Sequence, residues 1–446
     1  MAPGSPIQHV VIIVKENHTF DNYFGQFPNA EGDATLGPCP VPPDISPRND
    51  HQAWLERATL AVRQQYTAQD ISPYFAYAEQ FTLCDQYFTE VAGPSTSNHL
   101  MLIAADSPII DNPQYWDVNK PQPPFVMQSL PDRLESKGLK WRNYGGYAFS
   151  LIVDLRENPS NVTSDQFPLD VEAGKLPEVS WVYAPAGLSE HPPDPIDKGV
   201  AWTVTQVNAI ANSPLWSSTA IFIVWDDWAG WYDHVEPENV EQWSDGMQFR
   251  YGPRVGCLVI SPYAKSGYIS KVTHSHVSLV KFCEMTFGLQ PLNARDREAD
   301  DMSDCFDFTR EPALPPPLSP VSKKLNGGTM MSTATISELS AQKKQRAVDA
   351  FKALDPQEKK ETAQQLQQQG LLPLPGKTAN DNIWVIIVVS FAIVLVGGAA
   401  ALTLAVFFKG NGTLSADFLL TVFTSAGGFL AGLLAPSPNL TKPPQQ

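Results

Sequence analysis

Two short apolar runs in this chain each end in side chains suited to gripping a metal ion. Residues 10–14 (VVIIV) run into Lys15, Glu16 and Asn17, and residues 221–224 (IFIV) run into Trp225, Asp226 and Asp227. Glu16, Asn17, Asp226 and Asp227 together offer only oxygen, the donor that hard divalent cations prefer. Between the two runs lies Gly93-Pro94-Ser95-Thr96-Ser97-Asn98-His99, followed by an apolar, helical-looking sequel. This puts a hydroxyl near a helix N-terminus, where free backbone N–H groups and the helix dipole favour a phosphate. A hydroxyl there, touching a metal, can become a nucleophile. Each feature has a plainer reading when taken alone: acids after strands cap the next helix, and a Ser or Thr there is an ordinary N-cap. Histidines add weight, with His51, His99, His191, His234, His274 and His276 standing in polar surroundings. Phosphoryl transfer needs charge neutralised on the equatorial oxygens and a proton for the leaving group. A metal, a hydroxyl and two or three histidines supply those parts, although a structural role is the usual fate of any single histidine.

The elements that must position these groups follow from the same runs. Four or five β-branched and apolar residues bounded by polar ones read as a buried, parallel strand. In an open α/β sheet, ligands bind beyond the carboxyl ends of the strands, so two such ends from distant parts of the chain can meet at one site. The first 310 residues alternate strand-like and helical or turn-rich segments, as expected of a doubly wound α/β sheet with strands at 10–14, 221–224 and 255–261. The Pro- and Gly-rich stretch 31–50 reads as a loop, and no repeat is evident at solenoid periods. Five cysteines, Cys39, Cys84, Cys257, Cys283 and Cys305, show no CxxC pair. They read as buried free thiols rather than as a disulfide framework or a zinc site.

A chain of 446 residues with 43% hydrophobic content can form one large α/β domain plus appendages. Its net charge of −16 argues against nucleic acid as the chief partner. After domain 1–310 comes a Pro-rich linker, 311–331. A helical neck, 332–376, follows, with Asp355-Pro356-Gln357-Glu358 as a helix start and Gly370 as a stop. Within 377–446, residues 383–408 are uncharged and apolar. As a helix they reach about 39 Å, enough for a hydrocarbon core of ~30 Å. Residues 418–435 reach about 27 Å. The pair predicts a transmembrane hairpin, and its Gly397-Gly398-Ala399 and Gly428/Gly432 faces suit helix packing or self-assembly into a homo-oligomer.

The segment Lys15-Glu16-Asn17-His18-Thr19-Phe20-Asp21-Asn22-Tyr23-Phe24-Gly25 resembles the ENRSFDHYFG signature of the bacterial phosphoesterase family. That family includes non-specific phospholipases C and an acid phosphatase group. The likeness continues in order through 81–88, Gly93-Pro94-Ser95 with Asn98, Glu190-His191-Pro192-Pro193, 226–235, 260–263, 276–279 and 306–308. It implies an alkaline-phosphatase-like fold over the first 310 residues and a divalent metal held by Glu16, Asn17, Asp226 and Asp227. Ser95 takes the nucleophile position, with His191, His234 and His276 around the phosphate. Asn98, His99 and His51 are implied on the substrate side. Three departures blur phosphatase against phospholipase: Asp227 stands where Glu is usual, Ala229 where Gly is, and Ser275 where an Asp commonly precedes the late histidine.

The expectation is therefore a membrane-anchored, metal-dependent phosphoesterase. Its substrate is a glycerophospholipid cleaved in the manner of a phospholipase C, or alternatively a phosphate monoester. A non-enzymatic membrane-disrupting or scaffold protein with a dead catalytic domain is the rival. The start of the sequence lacks a charged n-region and a long apolar run. That favours a catalytic domain facing the cytoplasm from a bacterial inner membrane. An active phospholipase facing its own leaflet calls for gating through the neck or through assembly.

Overall fold

The computed structural model describes residues 5–316, apart from 116, 118 and 119. The helical neck, both apolar runs and most of the linker lie outside the described residues. Among those described, no helix is long and apolar enough to cross a membrane.

The core is an eight-stranded sheet. In chain order its strands are β1 (His9–Lys15), β2 (Thr82–Cys84), β3 (Trp141–Tyr144), β4 (Asn161–Val162), β5 (Val179–Tyr183), β6 (Thr219–Trp225), β7 (Cys257–Ile260) and β8 (Tyr268–Ser270). Across the sheet they run β8-β2-β7-β6-β1-β5-β3-β4. Strand β1 lies at the centre, parallel to β5 and to β6. Val10, Val11, Ile12, Ile13 and Val14 are all buried, as are Ile221, Phe222, Ile223 and Val224. A strand covered on both faces reads as a continuous apolar run, and each such side chain contributes about 1.5–3 kcal/mol by leaving water.

The sheet is mixed: β7 is antiparallel to both β6 and β2. The physical reason is the connection. Between Trp225 and Cys257 the chain forms only a small hairpin, Glu241–Gln242 with Gln248–Arg250, and no helix. A parallel return needs a crossover of a dozen or more residues over one face, usually a helix. Without one, the chain re-enters the sheet from the edge it left and must run backwards.

Two helices matter for the site: α1 (Ser95–Ala104) and α2 (His276–Phe287). Gly93 makes the entry to α1 possible. A Cβ there would stand 2.2 Å from the Ile110 carbonyl oxygen, closer than any side chain tolerates. The 31–50 stretch is largely irregular, as its composition predicts, with one short strand at Gly37–Pro38. The first residues of the Pro-rich passage still belong to the fold, since the Ala313 amide donates to the Pro262 carbonyl at 2.8 Å. The five cysteines are free and buried.

Candidate active site

In the β1/β6 register Lys15 stands opposite Trp225, so the residues that follow each strand are brought side by side. The Asp226 amide donates to the Lys15 carbonyl at 3.0 Å, and the Asn17 amide donates to Asp226 Oδ1 at 3.0 Å. Asn17 has a φ of +62°, a left-handed conformation that asparagine tolerates better than most residues. That turn folds Asn17 back over the end of β6. The convergence of Glu16, Asn17, Asp226 and Asp227 is thus a consequence of strand register plus one αL residue.

Ser95, the first residue of α1 and only partly buried, comes to the same point. Its Oγ donates to Asp227 Oδ2 at 2.8 Å and lies 3.4 Å from Asn17 Oδ1. His99 lies one turn further along α1, with Nε2 2.9 Å from Asp226 Oδ2 and 3.9 Å from Glu16 Oε1. Its ring lies between those of Tyr147 and Tyr183, and its buried Nδ1 has no hydrogen-bond partner.

The electrostatics of the cluster are those of crowded carboxylates. Burial, and then the charges of Asp226 and Asp227, push the Glu16 carboxyl well above the ordinary range. Burial and the charge of Asp226 do the same to Asp227. Burial also works to raise Asp226, but the hydrogen bond and charge of His99, together with hydrogen bonds from Asn17 and Ser95, outweigh it and leave that carboxyl below its usual value.

The donor set fits a hard divalent cation, and the Asn17 amide can face it in either of two orientations. With its amide oxygen turned towards Glu16 and Asp226 it faces only acceptors. Turned over, its nitrogen donates to Asp226 Oδ1 at 3.0 Å and Glu16 Oε2 at 2.9 Å. The first orientation would offer the amide oxygen to a cation, and the second satisfies the amide without one. Glu16, His99 and Asp226 also converge as a group that could hold a metal ion.

The remaining candidates divide. Asn98 spends its polar atoms on the turn before α1: Oδ1 accepts from the Val91 amide at 2.8 Å, and Nδ2 donates to the Val91, Gly93 and Pro94 carbonyls. It holds the turn that aims Ser95, which corrects its assignment to substrate. His276 is fully buried, with Nε2 2.9 Å from the Asp226 carbonyl and Nδ1 3.1 Å from the Tyr87 hydroxyl. Both ring nitrogens are engaged, so it braces the backbone of Asp226 and has none left for a phosphate. His234 joins a neighbouring network, with Nδ1 2.7 Å from Asp21 Oδ2. There the buried Arg254 guanidinium binds Asp21 and Asp233 at 3.0 and 2.9 Å. No hydrogen bond among the described residues ties His234 to Ser95 or to the acids after β1 and β6. His191 is exposed at the rim, two residues beyond Ser189, whose carbonyl accepts from the Glu16 amide at 3.1 Å. His51 is buried, with Nδ1 2.6 Å from the Ala92 carbonyl and Nε2 without a partner.

Two residues that support the candidate site escaped the sequence reading. Asn49 donates to Asp227 Oδ2 at 2.9 Å, reaching the site from the 31–50 loop; its polarity in a loop gave no signal. Beneath the site, Glu190 is fully buried and pairs with Lys15 Nζ at 3.2 Å. Its carboxylate also accepts from Tyr23, Tyr74 and Trp225. This pair ties the β1 end to the 188–193 loop. Glu190 and Lys15 stand within motifs quoted above, but nothing in their spacing announced a partnership.

The sequence profile of the Phosphoesterase family matches residues 7–40 and 46–290. A non-hemolytic phospholipase C of Pseudomonas aeruginosa is 27% identical over 398 residues, covering 68% of this chain and 57% of that protein. Phospholipase C B of Mycobacterium tuberculosis is 26% identical over 419 residues, covering 70% of this chain and 80% of that protein. The chain thus spans little more than half the length of the Pseudomonas relative. Among solved structures, human ectonucleotide pyrophosphatase / phosphodiesterase 5 superposes with a TM-score of 0.41 at 8% identity, over 67% of this chain and 100% of that one.

Proposed function

We propose, for a chain that belongs to the Phosphoesterase family, that it is a metal-dependent phosphoric ester hydrolase of phospholipase C type with Ser95 as its nucleophile. The observation that carries this reading is the Ser95 hydroxyl at the head of α1, bonded to Asp227 within an all-oxygen ligand set. The phospholipase C relatives support the choice of a lipid phosphodiester as substrate. We take the fold as alkaline-phosphatase-like as part of the same reading.

Glu16, Asn17, Asp226 and Asp227 would hold a divalent cation, whose chemistry is to neutralise phosphate charge and favour the ionised serine. Asp227 orients Ser95 Oγ and accepts its proton as the oxygen attacks phosphorus. The ester P–O bond opposite breaks, and the departing diacylglycerol oxygen takes a proton. His191, exposed at the rim, is our assignment for that donor. Water then attacks the phosphoseryl phosphorus and gives one proton to the depleted donor. The Ser95 Oγ–P bond breaks as Asp227 returns its proton to Oγ, and the phosphorylated head group is released. His51 and His99 stay on the substrate side in this proposal, one ring nitrogen of each being buried without a partner, while His234 and His276 act as positioning residues.

Membrane attachment through 383–408 and 418–435, a neck that gates access, self-assembly of those runs and a cytoplasmic face belong to the same proposal. The test uses full-length protein in detergent, phosphatidylcholine vesicles and p-nitrophenyl phosphate, each with and without chelator. Chelator-sensitive diacylglycerol release supports the reading. Monoester turnover alone would make the protein a phosphatase, and silence on both would favour a dead domain.

A further inference from the structure

A second constellation lies on the other side of β7, built from residues far apart in sequence. Cys84 ends β2, Cys305 ends a 3₁₀ turn at Ser303–Cys305, and His274 lies in a two-residue strand, His274–Ser275, just before α2. The side chains of Cys84 and Cys305 are fully buried and that of His274 nearly so. Cys84 Sγ is 3.7 Å from Cys305 Sγ. Cys305 Sγ is 4.0 Å from His274 Nε2 and 3.5 Å from Asp304 Oδ1. His274 Nε2 is 3.2 Å from that same Asp304 oxygen. The two sulfurs and a His274 ring nitrogen all lie within 4.8 Å of one another.

These are four of the six edges of a tetrahedron whose three mutually close members are Cys84, Cys305 and His274, with Asp304 beside Cys305 and His274. Zinc bonds of about 2.3 Å to sulfur and about 2.0–2.2 Å to nitrogen and oxygen, at tetrahedral angles, space the donors by ~3.2–3.8 Å. Three of the four measured edges fall in that range, and the fourth exceeds it by a few tenths of an ångström. The surroundings have the same character. His274 Nδ1 is 2.8 Å from Asp300 Oδ1, an ion-pair contact without hydrogen-bond geometry. A small turn of the ring gives the carboxylate–imidazole pairing that orients a metal-bound histidine. Asp304 Oδ2 is held by the Ser270 and Tyr268 hydroxyls at 2.5 and 3.2 Å, which leaves Oδ1 facing Cys305 Sγ and His274 Nε2. Ser270 Oγ also lies 3.0 Å from that nitrogen and gives way when a metal binds there. A disulfide between the two cysteines would need neither the imidazole nor the carboxylate.

We propose that Cys84, Cys305, His274 and Asp304 form a structural zinc site distinct from the oxygen-lined site at Ser95. Binding displaces the protons of both thiols, and any proton on Nε2, to solvent and leaves Asp300 on Nδ1–H. Sulfur donors select zinc here, while the all-oxygen set selects a harder cation there. The ion staples β2 to the His274–Ser275 strand and to the Cys305 turn. Two residues after His274 comes His276, which holds the Asp226 carbonyl, so the staple also fixes the corner that supports the catalytic acids.

The test needs no substitution to be decisive. Full-length protein is purified from zinc-supplemented cells and dialysed against a chelator that strips exposed sites. Its metal content and zinc X-ray absorption fine structure are then measured. The proposal expects about one retained zinc per chain with sulfur in its first shell near 2.3 Å. It also expects retention in Asp226→Asn, which removes the other site, and loss in Cys84→Ser with Cys305→Ser. Zinc with only oxygen and nitrogen neighbours, no retained zinc, or a Cys84–Cys305 disulfide found by peptide mass spectrometry would each overturn it.

Discussion

Ser95 and Asp227, 132 residues apart, share a hydrogen bond of 2.8 Å between Oγ and Oδ2. It exists because two independent pieces of geometry coincide. The β1/β6 register places Asp227 beyond the carboxyl edge of the sheet, and the turn held by Asn98 starts α1 with its first hydroxyl pointing there.

Asn49 shares the same carboxylate oxygen at 2.9 Å. Replacing it with Ala leaves Asp227 less firmly oriented without opening the core. Outer partners of metal ligands typically matter by about 10–100-fold. Asn49→Ala should therefore lower kcat by that order in vesicle hydrolysis, with an unfolding midpoint close to that of the wild type.

His276 braces Asp226 through its backbone. His276→Ala should weaken metal affinity by about 10–100-fold, read by titrating chelated protein with divalent cation. If the residue instead protonated the leaving group, metal affinity would hold and only the pH profile of kcat would change.

The buried Lys15–Glu190 pair predicts a stability effect. Burial depresses the Lys15 ammonium pKa even with Glu190 beside it. Removing the partner strands a charge in the core, which costs about 3–5 kcal/mol. Urea unfolding of Glu190→Ala should show at least that loss, because Tyr23, Tyr74 and Trp225 lose their acceptor as well.

The crowded acids set a pH dependence for the metal-free protein. Glu16 and Asp227 have folded pKa values raised above their unfolded ones, so the folded state holds protons that the unfolded state releases. Their contribution is fully present below the ordinary carboxylate pKa and is lost as pH rises through the raised values. Thermal melts of chelated protein should fall as pH rises above that ordinary range, and a saturating divalent cation should flatten the fall.

Much of the site was legible because it is written in strands. The apolar runs at 10–14 and 221–224 became β1 and β6, and their polar sequels met as parallel strands require. Ser95 did open a helix. The histidines were less legible: residue type does not reveal that both His276 nitrogens would be taken, or that His234 would be held by Asp21 beside Arg254. Asn49 was hidden because a loop's reach depends on packing that composition does not encode. The reversed β7 follows from a missing crossover helix, a feature of residues 226–256 and not of the strand itself.

The most direct measurement compares wild-type and Ser95→Ala full-length protein on phosphatidylcholine vesicles with saturating divalent cation, with quenched reactions searched for phosphoserine at residue 95. The account predicts diacylglycerol release by the wild type, a loss of at least about a thousandfold in Ser95→Ala, and a phosphorylated peptide containing Ser95. Near-normal turnover by Ser95→Ala would contradict it.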